Sequence, residues 1–412
     1  MQRLSERWLR RVLMVLYERR EATRAEIVRA TRLNVASVSF AVRHLLAHGL
    51  VQRGSGLHNS IGRKPDQLKL NPEAGYFLAL DLEGTRIRFA LTNFLGDIRC
   101  RWEIPFAFGS TLDTETMARG LKALLAALTP PEQTRVFALG VCYTGIMDRE
   151  GRVSAVNLGW SRFPLREHLE RIVDIPVYLG SESAVKLMAE RWLGLARGRN
   201  HCVFINVANG VGCAVLSGGH LLSGRDGAAG ELGHITIDPN APDRCACGRQ
   251  GCLEAIVSSP NLVRQYDEKL GRNSGPLYGE RVIEIFERAR QGDEAALAVV
   301  TRAGYYLGLA IANLIQLFNP ELIILGGDLV YASDLFLGQI ERVLACALPP
   351  LVRESLEIRA SALGVDIGLI GAAALAFHNA VRERPVLQRI CMLKPPAGST
   401  RRPTRSVDAY LP

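Results

Sequence analysis

The sequence predicts an α/β protein in two parts. An N-terminal winged helix-turn-helix is followed by a two-lobed α/β domain that carries a cysteine and histidine knot. Three observations predict this. Residues 1–70 hold 14 Lys+Arg against 5 Asp+Glu, whereas the whole 412-residue chain carries a net charge of +9, so the excess positive charge belongs to the first sixth of the chain. A strand–turn–strand pattern at Tyr76–Leu82 and Arg86–Leu91 recurs about 126 residues later at Cys202–Val207 and Val211–Leu216. His234, Cys245, Cys247 and Cys252 fall in one short polar stretch.

Composition sets the outer bounds. A chain of 412 residues exceeds one typical domain, and 48% hydrophobic residues are enough for real cores. No unbroken apolar run reaches the length of a membrane span, and the arginine-bearing N-terminus lacks the pattern of a signal peptide. Nine cysteines, odd in number and mostly scattered, suit a reducing cytoplasm.

The first module follows from local signals. Leu4, Trp8, Leu9, Val12, Leu13, Val15 and Leu16 recur at mostly helical spacing over residues 4–20. Thr23 with Glu26 three residues on reads as a capping box opening a second helix from Arg24 to about Ala30. Thr31 to Asn34 is a short turn. A third helix from about Val35 to His48 turns Val38, Val42, Leu45 and Leu46 inward and ends at Gly49. Leu50–Arg53 then starts a wing.

On that third helix Ala36, Ser37, Ser39, Phe40 and Arg43 are predicted to face outward, with Arg43 the only long donor. A basic module of this pattern predicts operator DNA as partner; a three-helix protein-interaction module is the competing reading. Gly54–Lys69 reads as a linker or wing tip. Its Gly62-Arg63-Lys64-Pro65 presents Arg63 and Lys64 for a narrow minor groove, with a plain solvated linker as the alternative.

Beyond residue 76 the periodicity becomes α/β. Val136–Val141 and Val177–Leu179 read as strands, the latter leading into a helix from about Ser183 to Leu195. A long helix spans about Glu294–Leu317, Leu322–Leu325 is a strand ending in Gly326-Gly327, and Ile367–Val381 reads as the last helix, with Gly368, Gly371 and Ala372 allowing close packing. The tail from Lys394 lacks periodicity and is expected to be disordered.

The knot is the most specific signal. Three thiols and one imidazole form a closed ligand set that suits structural zinc. Gly248 and Gly251 permit the tight turns between the last ligands. Ordinary buried cysteines are the rival reading, but Arg244, Arg249, Gln250 and Pro242 make the stretch a polar loop. Glu231 and Glu254 flank the knot, so a metal there would hold both carboxylates in place.

The run Gly230–Glu254, with E-L-G-H followed by C-A-C-G-R-Q-G-C-L-E, resembles the signature of the ROK family of repressors, open reading frames and sugar kinases. The resemblance extends over essentially the whole chain. It implies a two-lobed actin-like ATPase domain, and hence these boundaries: winged helix-turn-helix 1–60, basic linker 61–73, first lobe 74–200, second lobe with the knot 201–360, a helix 361–385 returning to the first lobe, and a tail 394–412.

The family's kinase elements are altered here. Its first phosphate turn, D-x-G-G-T-K, is Asp81-Leu82-Glu83-Gly84-Thr85-Arg86, so a carboxylate stands where phosphate must approach. Its second turn, G-T-G, is Ala208-Asn209-Gly210. The position of the catalytic Asp is Glu182, one methylene longer. The glycine pair Gly326-Gly327 is kept.

The sugar-side set is better preserved. The resemblance implies sugar contacts from Asn157, in Asn157-Leu158-Gly159-Trp160, and from Glu231, His234 and Glu254; a carboxylate at Glu182 remains suited to binding. Thr144 replaces a proline common before Gly145 in the family, so sugar preference is expected to differ. The sequence therefore predicts a sugar-responsive regulator, a homodimer or homotetramer, with a degenerate kinase domain as sensor. An active sugar kinase with an added DNA-binding module is the rival. A regulator whose domain binds a partner protein is the third reading.

Overall fold

The computed structural model describes residues 2–54, 67–83, 86–106, 110–155, 158–225, 227–273 and 279–392. They divide into two compact units: residues 1–192 with 365–412, and residues 193–364.

The first unit begins with α1 (Gln2–Arg19), β1 (Glu21–Thr23), α2 (Arg24–Thr31), α3 (Val35–Ala47), β2 (Val51–Arg53) and β3 (Gln67–Leu70). The capping box is formed: Thr23 accepts from the Glu26 N–H, and the Glu26 carboxylate accepts from the Thr23 N–H at 2.7 Å. Asn34 caps α3 by accepting from Ser37 N–H at 2.8 Å. Leu13, Leu16, Ile27, Val42, Leu45 and Leu68 close the core of this module. The three strands form one antiparallel sheet in the order β1-β3-β2. Residues 67–70, expected within a linker, are thus its central strand. Leu68 and Leu70 face inward from it, and β3 pairs with Glu21–Thr23 on one side and Val51–Arg53 on the other. The pattern is too short for sequence periodicity to mark.

This module is fused to the rest of its unit. Tyr17 of α1 lies stacked between Trp192 (centroids 4.5 Å apart) and Phe377 (4.0 Å). Arg20 sits 4.9 Å over the Trp192 ring and donates to the Leu95 carbonyl at 2.9 Å.

The rest of the first unit is a five-stranded sheet in the order β11-β7-β4-β5-β6. Its strands are β4 (Tyr76–Leu82), β5 (Arg86–Asn93), β6 (Ile98–Pro105), β7 (Val136–Tyr143) and, after the small sheet of β8 (Ile146–Met147), β9 (Val153–Ala155) and β10 (Trp160–Phe163), β11 (Val177–Ser181). Helices α4 (Thr114–Ala126), α5 (Pro130–Gln133), α6 (Leu165–Ile172) and α7 (Glu182–Leu193) intervene or follow. All seven residues of β4 are buried, as expected for a strand covered on both faces.

The second unit repeats this plan with β12 (Cys202–Val207), β13 (Val211–Ser217), β14 (His220–Leu221), β15 (Leu322–Gly327) and β16 (Glu357–Ala360). Its order, β16-β15-β12-β13-β14, is the same sequence of parallel and antiparallel neighbours. The predicted repeat is therefore real. Helices α8 (Leu253–Val257), α9 (Ser259–Lys269), α10 (Gly279–Arg290), α11 (Glu294–Phe318), α12 (Ser333–Ala347) and α13 (Pro350–Glu354) complete it. The 25-residue α11 is apolar enough for a membrane span by length and composition, but it buries Val299, Leu307, Ile311 and Ile315 in this unit's core.

Helix α14 (Ile367–Ala380) returns to the first unit and packs on β4 and β7. The glycine at 371 is required, because a Cβ there would overlap the Val185 carbonyl. It is not the last helix. α15 (Arg384–Met392) follows and grips α1, with Arg384 paired to Glu6 at 3.0 Å and Gln388 donating to Glu6 at 2.6 Å.

Candidate ligand and metal sites

In the second unit the knot is assembled by short backbone pairings. Ile237 N–H donates to the Gly251 carbonyl at 2.8 Å, and Cys245 N–H to the Arg249 carbonyl at 2.9 Å. Gly248 and Gly251 hold φ values of +87° and +76°, the left-handed region in which a side chain is strained. α11 braces the loop from beneath. Arg302 bonds Asp243 at 2.6 Å, and Tyr306 donates to Asp238 at 2.5 Å. Burial works against the Asp243 charge, yet bonds from Arg302 and Arg264 outweigh it and lower its pKa.

The four predicted ligand atoms lie within 4.8 Å of one another. Cys247 Sγ is 3.7 Å from Cys252 Sγ, and Cys245 Sγ is 3.6 Å from His234 Nδ1. A tetrahedral zinc with Zn–S bonds of about 2.3 Å puts its sulfurs about 3.8 Å apart, close to the Cys247–Cys252 separation, so the donor set fits such an ion. The Arg249 backbone N–H lowers the Cys247 thiol to about 6, whereas burial raises Cys245 to about 12. His234 Nδ1 faces the sulfurs, and its Nε2 faces Glu231 Oε2 at 4.0 Å. The same imidazole can thus serve the metal with one nitrogen and a neighbouring carboxylate with the other.

Glu254 lies in the first turn of α8, two residues after the last cysteine. Its Oε2 accepts from Val211 N–H at 2.9 Å, and its Oε1 lies 3.8 Å from Cys245 Sγ. A Cβ on Gly210 would come 2.8 Å from the same carboxylate. The knot and the Asn209-Gly210 turn are therefore tied together through one side chain.

In the first unit, β4, β5 and α7 bring five charges into one cluster. Glu182 heads α7 and accepts from Lys186 Nζ at 2.5 Å. Lys186 also lies 3.6 Å from Glu83. Arg88 reaches Glu83 at 2.9 Å and Asp81 at 3.0 Å. Lys186 and Arg88 side chains are only 4% and 7% exposed, so Glu83, itself partly open to solvent, is held by two buried cations. Burial, reinforced by the Glu83 charge, pushes Asp81 up to about 7. Burial opposes the charge of Lys186, but Glu182, Glu83 and Asp81 together raise its pKa. Sequence reasoning named Glu83 and Glu182 but missed Arg88 and Lys186. The available signals were a charged residue inside an otherwise apolar strand and a lysine four residues after Glu182.

Other predicted residues divide clearly. On α3, Phe40 is 46% exposed and Arg43 is exposed, while Ser39 is half-buried. Ser37 does not face outward. It is 6% exposed, because it shares the inner face of the helix with Val38 and Ala41. Leu46, expected inward, is only half-buried. Arg63, Lys64, Gly84, Thr85 and Asn157 lie outside the described residues, as does the tail from residue 394. Next to Asn157, Trp160 is buried and donates to the Leu112 carbonyl at 3.0 Å.

Two units with one repeated five-stranded plan, a charged cluster in the first and a ligand knot in the second, define a sugar-kinase-like α/β protein. The chain belongs to the ROK family, whose profile matches residues 77–379. It is 32% identical over 312 residues to a glucokinase of Halalkalibacterium halodurans, covering 73% of this chain and 94% of that protein. It is 31% identical over 346 residues to a putative xylose repressor of a Caldicellulosiruptor species, covering 81% of this chain and 86% of that one. Its fold is similar to the crystal structure of a ROK family transcriptional regulator, a homologue of the E. coli MLC protein. The TM-score is 0.79 at 24% identity, over 94% of this chain and 99% of that one.

Proposed function

We propose that this chain is a sugar-responsive transcriptional repressor whose kinase-like domain senses and does not phosphorylate. The observation that carries the reading is the Glu83 cluster. A nucleotide phosphate approaching the end of β4 meets a carboxylate already bound by Arg88 and Lys186. Like charge and bulk both oppose it. Glu182, at the position of the family's proton acceptor, already accepts from the Lys186 ammonium through Oε1, and proton abstraction requires hydrogen-bond reach to one particular hydroxyl.

The N-terminal module is a winged helix-turn-helix that binds operator DNA with α3. Ser39, Phe40 and Arg43 lie toward the groove, and Arg63 and Lys64 reach the flanking minor groove. Support comes from the basic excess of residues 1–70 and from the likeness to xylose repressors. The effector is a sugar or sugar derivative held by Asn157, Glu182, Glu231, His234 and Glu254. His234, Cys245, Cys247 and Cys252 hold zinc, which fixes the loop from which Glu254 projects. The assembly is a homodimer or homotetramer in the cytoplasm, as two-fold operators favour. Ligand binding changes operator affinity by favouring one conformation over another.

The similarity to glucokinases favours a second reading, an ATP-dependent sugar kinase with an appended DNA-binding module. Melting temperatures with a panel of neutral and amino sugars, run beside an ATP-dependent phosphorylation assay, separate the two. A sugar that raises the melting temperature without turnover supports the sensor. Turnover supports the kinase.

A further inference from the structure

A second charged feature lies away from both sites. Arg10, Arg11, Met14 and Val15 of α1, Ala30 and Thr31 of α2, Arg32 and Arg382 line an open groove of about 700 Å³. Four arginines converge on it. Arg11 donates to the Thr31 carbonyl at 3.0 Å. Among the described residues none of the four forms an ion pair with a carboxylate; Arg10 and Arg11 are half-buried, Arg32 and Arg382 exposed. Glu18, the acid whose charge bears on Arg382, is itself paired with Arg191 at 3.6 Å. Burial, then the like charges of Arg10 and Arg191, lower the pKa of Arg382. An anion placed in the groove relieves that repulsion.

The position of the groove identifies the anion. Arg32 is the left-handed cap of α2 at φ +52° and stands two residues before Asn34, the cap of α3. Arg32, on the wall of the groove, thus leads along the chain into the exposed Asn34, Val35 and Ala36 at the first turn of α3. Arg382 comes from the other end of the sequence, just past α14. We propose that this groove is a clamp for the phosphate backbone of duplex DNA, completed by an arginine of the sensor domain itself. It rests on the DNA-binding reading above. Direct base readout belongs to α3; the clamp adds sequence-independent phosphate contacts. Operator affinity then depends on where α14 holds Arg382 relative to α1.

The test uses the full chain and a random-sequence DNA duplex, so that no operator need be known. Binding is followed by fluorescence anisotropy from about 50 to about 200 mM KCl, over which each phosphate contact contributes about 0.9 to the slope of log affinity against log salt. Arg382→Gln is expected to lower affinity several-fold at low salt and to reduce the slope by about one, and the Arg10→Gln/Arg32→Gln pair by about two. Arg382→Lys retains the slope. Arg342→Gln, a change at an exposed arginine of α12, leaves both unchanged. A poly-glutamate peptide serves as the acidic-protein probe. If Arg382→Gln keeps the wild-type DNA slope, the clamp is refuted, and loss of peptide binding in that variant assigns the groove to an acidic protein instead. If the wild-type chain binds no DNA, the DNA-binding reading fails together with the clamp.

Discussion

Lys186→Met isolates the cluster that closes the first lobe. The substitution keeps an unbranched side chain of similar length and removes an ammonium that is 4% exposed. Three carboxylates, Asp81, Glu83 and Glu182, then face a single cation, Arg88. Breaking a fully buried ion pair costs about 3–5 kcal/mol. Here the acidic partners are 29% and 22% exposed, so solvent screens part of the loss and about 3 kcal/mol is expected. In a unit of this size that is roughly 6–12 °C of melting temperature.

The effect depends on pH. Burial and the Glu83 charge already hold the folded-state pKa of Asp81 at about 7, above its unfolded value, and loss of the Lys186 charge that lowers it raises it further. Folded protein then binds more protons than unfolded protein, so stability falls as pH rises through that window. The deficit should be largest near pH 8 and smallest near pH 5. Adding Glu83→Gln to Lys186→Met should restore a substantial part of it. Thermal melts followed by circular dichroism at the two pH values measure all three proteins. A Lys186→Met protein as stable as wild type at pH 8, or a deficit that does not change with pH, refutes the reasoning.

Three further outcomes are expected. Purified protein should carry about one zinc per chain, and Cys247→Ser should lose it and lower the melting temperature; metal analysis that finds no zinc removes the assignment. No ATP-dependent phosphorylation of common hexoses or amino sugars should occur, and turnover abolished by Glu182→Ala would establish the kinase reading instead. Arg43→Ala should cost about 1–3 kcal/mol in operator binding and relax specificity, whereas Ser37→Ala should leave DNA affinity unchanged because that hydroxyl is buried; quantitative gel shifts on a selected operator decide between them.

How legible each feature was follows from how local its cause is. The Thr23–Glu26 box, the two strand–turn–strand pairs and the cysteine loop each depend on residues close in sequence, and each was read with its limits nearly right. The Arg88 and Lys186 cluster joins a strand to a helix about a hundred residues on, and only the sheet order brings them together. β1 and β3 are three and four residues long, too short for alternation to register. Ser37 was misassigned because one residue is 100° of helix, so a single step carries a side chain from one face to the next. α15 is amphipathic but sits past a helix that already looked terminal, and its reason for existing is Glu6, at the other end of the chain.

The stacking of Tyr17 between Trp192 and Phe377 bears on how such proteins can diversify. A reading head on a loose tether is a cassette, exchangeable among sensors by recombination at the joint. Here the head's first helix supplies one slice of an aromatic sandwich whose other two belong to the body, and Gly96 is kept small because Trp192 fills the space beside it. A chimera joined near residue 70 inherits a socket without its plug unless the incoming helix brings an aromatic ring to the same place. On the DNA-binding reading proposed above, new operator specificities are therefore more accessible to this chain by point changes on the outer face of α3 than by import of a foreign head.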